Sequence, residues 1–142
     1  MTPDDLRTVQ RSWAQLRLGR AQLVGVLTDR FALVASPIPP EIHAAWLVDA
    51  VDELVGLLAA PSQLATQARR LGATWPDPLT APSFGVEGQA WLAAADACLG
   101  DWSERTAEAW KEAWFLLSDV LATEALSPFV DQPRSIGTDP PA

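Results

Sequence analysis

Prolines cut this sequence into lengths that suit helices. Pro37, Pro39 and Pro40 fall in SPIPPE, Pro61 opens PSQLATQARRLG, and Pro76, Pro78 and Pro82 fall in ATWPDPLTAPSFG. Each removes a backbone donor and pushes the residue before it toward extended geometry. Between these breaks the apolar residues recur at intervals of three and four, with little of the alternation that a half-buried strand shows. The expected fold class is all-α.

The first helix is expected to start at TPDD. There Thr2 can cap free backbone N–H groups, Pro3 suits the first helical position, and Asp4 and Asp5 face the positive end of the dipole. Leu6, Val9, Trp13 and Leu16 form its buried stripe. After Gly19 a second helix, roughly 20 to 35, carries Leu23, Leu27 and Phe31 on one face. A third starts at Pro40 or Glu41 and aligns Ile42, Trp46, Ala50 and Leu54, with Leu47, Val51, Val55 and Leu58 beside them. A short helix from Pro61 ends with Arg69 and Arg70 at its negative end, and Gly72 is expected to close it in the left-handed conformation. A helix over about 86 to 99, VEGQAWLAAADACL, is apolar on most sides and should be central. The last is capped by Ser103 and buries Trp110, Trp114, Leu117 and Leu121.

At 142 residues and 49% hydrophobic composition, the chain suits one domain with a substantial core. Ten Lys and Arg against 18 Asp and Glu leave a formal charge of -8, which repels nucleic-acid phosphates and acidic membrane surfaces. A single cysteine, Cys98, allows no internal disulfide. No apolar run approaches the ~18 residues of a membrane span, and MTPDDLRTVQ is unlike a leader. The expectation is a cytoplasmic protein with no nucleic-acid or membrane partner.

The order of motifs is a capped helix containing RSW, a second ending in TDRF, a long third and a short one closing on LG, then GQAWLAAADACLGDW and AEAWKEAWFLLSDVL. In this order the chain resembles a bacterial single-domain globin and is similar to the globin domain of flavohaemoglobins. The opening MTPDDLRTVQRSWAQL, the LG pair and LGDWSERTAEAWKEAW carry the resemblance most closely. It covers about residues 1–126 and leaves 127–142 as a proline-rich, disordered tail. It implies a globin-like helical sandwich, with a short segment between the second and third long helices. Inside would be an apolar pocket that usually holds haem on a proximal histidine.

Carried onto this chain, the resemblance puts Trp75 in the proximal ligand position, after Leu71 and Gly72. An indole offers one N–H donor and no available lone pair, so it cannot ligate iron as an imidazole does. His43 falls on the distal position, with Leu47 one turn on, and Leu27 stands where flavohaemoglobin-like globins usually carry a tyrosine. Trp46 lies on the pocket wall, and Phe84 is a further pocket position by resemblance. ALVASPIPPEI has no counterpart of the phenylalanine that usually wedges the haem.

Each marked residue has a plainer reading. His43 can be a half-buried histidine bonded to a neighbour. Trp75 can plug the pocket, burying ~150–250 Å², or cap the short helix at the surface. Trp13, Trp110 and Trp114 read as core. Cys98, which invites comparison with bilin-bearing phycobiliproteins, reads as a mid-helix filler. Glu104, Glu108 and Glu112 read as a solvated face. No nucleophile and base pair, metal-ligand cluster or phosphate-binding loop is legible, so no enzyme is expected. The expected function is a binding, sensory or interaction module without a cofactor, comparable at the level of fold with the haem-free globin domains of bacterial stressosome proteins. Its partner would be a small apolar ligand or a protein, including a second copy through the last two helices. The alternative is a haem protein binding O2 or NO, with His43 as its axial ligand.

Overall fold

The computed structural model describes residues 1–34, 36–75, 84–121 and 123, and on the fifth helix the side chains from Glu87 onward. Six α-helices follow in order: α1 Pro3–Leu16, α2 Arg20–Phe31, α3 Pro40–Val55, α4 Pro61–Gly72, α5 Phe84–Cys98 and α6 Glu104–Val120. A single 3-10 turn, Arg17–Gly19, joins α1 to α2. The described residues form no strand. The segment that begins at Pro76, the Phe84 side chain and the 127–142 tail lie outside the described residues.

Local chemistry sets the helix starts. Thr2 Oγ1 accepts from the Asp5 backbone N–H, and Asp5 Oδ2 accepts from the Thr2 N–H, each at 3.1 Å. The donor at Thr2 holds the Asp5 carboxyl below its ordinary value of 3.8. Ser103 Oγ accepts from the Thr106 N–H at 3.1 Å and starts α6 in the same way. Prolines occupy the first turns of α1, α3 and α4, where a missing donor costs nothing.

The helices pack so that α2 lies against both α3 and α5, α1 against α6 and α3, and α5 against α6. Trp91 of α5 forms the hub of an indole cluster. Its ring centroid lies 5.7 Å from Trp13, 5.6 Å from Trp110 and 6.2 Å from Trp114. Two of these indoles donate locally. Trp110 Nε1 donates to Ser12 Oγ at 2.7 Å, and Trp13 Nε1 donates to Asp52 Oδ1 at 3.0 Å. The hydroxyl of Ser12 in turn donates to the Thr8 carbonyl at 2.8 Å, so this buried polar pair is satisfied without solvent.

Gly88 permits the close approach of α6. A Cβ placed there would overlap the Trp114 indole nitrogen and stand 2.6 Å from its Cδ1. Gly88→Ala should therefore destabilise by about 1–3 kcal/mol, as overpacking exceeds the helix-propensity gain of up to ~1 kcal/mol. Urea unfolding of Gly88→Ala alone and with Trp114→Leu checks this, because the loss should largely vanish when the indole is gone.

Four expectations are corrected. Helix α2 ends at Phe31, and the chain then turns through Leu33 and Val34, whose N–H groups donate to the Arg30 and Phe31 carbonyls. Ile42, in the first turn of α3, is 47% exposed and does not join the buried stripe. Gly72 is the last residue of α4, and no described glycine has a positive φ. The helix instead closes through tight bonds, with the N–H groups of Ala73, Thr74 and Trp75 donating to Arg70, Leu71 and Gly72. Cys98 is the terminal residue of α5, half-buried, with burial pushing its thiol above the ordinary 9.0. A raised thiol favours the unreactive protonated form.

Candidate functional site

Four aromatic rings meet where α2, α3 and the end of α4 converge. Phe31, the last residue of α2, lies flat on the His43 imidazole, with centroids 3.9 Å apart and planes 5° from parallel. Trp75 meets His43 edge-on at 5.3 Å and 87°, and meets Trp46 at 4.7 Å and 79°. The Trp46 indole donates to Thr74 Oγ1 at 3.0 Å, and that hydroxyl donates to the Leu71 carbonyl at 2.8 Å. The tight turns that end α4 thus aim Trp75 inward, and Thr74 ties the wall to them. Edge-to-face contacts of this kind add ~0.5–1.5 kcal/mol each beyond burial.

Glu87 of α5, which the sequence reading did not single out, supplies the polar partner. His43 Nε2 and Glu87 Oε1 lie 2.6 Å apart with one proton between them. The carboxyl is fully buried while the imidazole keeps a little exposure. Burial raises the Glu87 carboxyl above its ordinary value of 4.5, and the hydrogen bond and charge of His43 oppose that rise. A signal for Glu87 existed, since it is the one acid in the first ten residues of an apolar helix, and a buried acid requires a partner.

Of the residues expected to line the pocket, Trp75, Trp46, Leu47 and Leu27 are buried, and His43 is nearly so. His43, Trp46 and Trp75 stand together. Leu27 lies one turn before Phe31 on α2, and Leu47 one turn after His43 on α3, so both extend the same faces. The linker before α3 carries no phenylalanine, and its Ile38 is buried instead. Glu104, Glu108 and Glu112 are exposed, with Glu108 paired to Lys111 at 3.3 Å.

Of the two side chains that the globin resemblance sets beside iron, only His43 carries a nitrogen lone pair. The Trp75 indole nitrogen is a donor without an available lone pair. The Nε2 of His43 is engaged by Glu87, and one face of its ring is covered by Phe31. His43 and Trp75 touch directly, edge to face at 5.3 Å. Among the described residues no group of three or more His, Cys, Asp or Glu side chains could hold a metal ion, and no helix is long and apolar enough to cross a membrane. Comparison with models of protein families, with curated proteins and with solved structures finds none that matches this chain.

Proposed function

We propose that this chain is a haem-free, globin-like module that works by binding or interaction and carries out no chemistry of its own. One observation carries the reading. His43 and Trp75, which the globin resemblance sets on opposite sides of a haem, are in direct contact at 5.3 Å. Trp75 and Trp46 then close the pocket, and the charge of -8 argues against nucleic acid as the partner. The competing reading is a gas-binding haem held by His43, which is the single histidine of the sequence.

Hemin titration followed by ultraviolet and visible absorbance separates the two readings. The expected result is no stoichiometric Soret band. A one-to-one band in the wild type that disappears in His43→Ala would overturn the haem-free reading.

The partner proposed is a second copy, seated on the α5 and α6 face. A groove of about 270 Å³ runs there beside Gly88, Leu92 and Trp114, and Phe115 at its lip is 78% exposed. A knob beside a hole on one face is what a two-fold pairing uses twice. Light scattering on a sizing column should show a dimer that Phe115→Glu converts to a monomer. A wild-type chain that stays monomeric at high concentration would exclude this interface.

A further inference from the structure

Two buried polar atoms on α5 have no hydrogen-bond partner among the described residues: Glu87 Oε2 and Trp91 Nε1. Both residues are fully buried. An indole N–H left unpaired in an interior costs ~1–3 kcal/mol, and a carboxylate oxygen costs more. The two belong to residues one turn apart, so their side chains are neighbours on one face of the helix. They are also complementary, since the indole can only donate and a carboxyl oxygen can accept. No direct bond joins them. The other carboxylate oxygen is held by His43, and the Trp91 ring is confined by Trp13, Trp110 and Trp114, so neither group can turn freely to find another partner.

We infer that Glu87 and Trp91 form a binding site for a single internal water molecule. Its oxygen accepts from Trp91 Nε1–H, and one of its protons is donated to Glu87 Oε2. This satisfies both buried groups, as interior waters commonly do. It also extends the polar chain from the slightly exposed imidazole of His43, through Glu87 and the water, to the indole cluster between α1, α5 and α6. The site is independent of the globin reading, because it needs only the two side chains of α5.

Heteronuclear NMR of the full chain with nitrogen-labelled tryptophan tests it, with the Trp91 indole resonance assigned by its loss in Trp91→Phe. The expected result is a water cross peak at the Trp91 indole proton, in the laboratory and the rotating frame, with the sign of a long-lived bound water. That peak should be lost in Glu87→Leu. Should that variant fail to fold, a crystal structure of the wild type decides, with a solvent peak expected within hydrogen-bond distance of both atoms. An indole proton without a water cross peak, or a direct bond between Oε2 and Nε1 in the crystal, would overturn the inference.

Discussion

Trp75→Ala is expected to destabilise the fold by about 3–5 kcal/mol, the range for deleting a large buried aromatic side chain. Trp75 is only 8% exposed although it stands in the turn after α4, where loop residues are ordinarily open to solvent. Its ring closes the space between His43 and Trp46, so truncation removes two edge-to-face contacts and leaves a cavity that the rigid helix ends cannot refill. Equilibrium urea unfolding measures the loss, and Trp75→Phe should recover part of it by keeping a ring in place. A loss below about 0.5 kcal/mol would identify Trp75 as a surface cap and would remove the support for a plugged pocket.

Deleting the imidazole should produce a loss that depends on pH. Burial raises the Glu87 carboxyl above 4.5, so the folded chain keeps that proton to a higher pH than the unfolded chain does. The stability contributed by the protonated carboxyl is fully present below 4.5 and is lost as pH rises through the raised folded value. His43 counteracts the rise, so His43→Ala lifts the folded value further and deepens the loss at alkaline pH. At acid pH, where the carboxyl is neutral, the expected cost of His43→Ala is about 1–3 kcal/mol, that of one unpaired polar group. Once the carboxyl is ionised the cost should be larger, because a buried carboxylate then loses the imidazole N–H that donates to it. Unfolding curves of both proteins across this range check the sign. Adding Glu87→Gln, which cannot ionise, should flatten the difference. A cost of His43→Ala that is constant with pH would mean that Glu87 is solvated in the folded chain.

Periodicity and capping carried the helices well. The starts at Thr2, Pro40, Pro61 and Ser103 follow from side-chain chemistry confined to one turn, and the stripes through Trp13, Leu27, Leu47, Trp110 and Trp114 are buried as their spacing predicts. The helix ends were less legible. Whether α2 stops at Phe31, or α4 closes without a left-handed glycine, depends on what each end packs against. Ile42 shares the spacing of its stripe and is still exposed, since periodicity marks a face of a helix and cannot tell which parts of that face the rest of the fold covers.

The candidate site divides in the same way. His43 and Trp75 were identified from the sequence, and the plainer reading of His43 as a histidine bonded to a neighbour matches its 2.6 Å contact. Glu87 was not identified, because it lies 44 residues from His43 and the two meet only after α2 has been placed against both α3 and α5. The sequence by itself determined helices, caps and buried faces, all of which depend on residues within a few turns of one another. The tertiary structure alone decided that Phe31 and Glu87 meet His43. Partnership between distant side chains is set by how the helices cross, and no local pattern encodes that crossing.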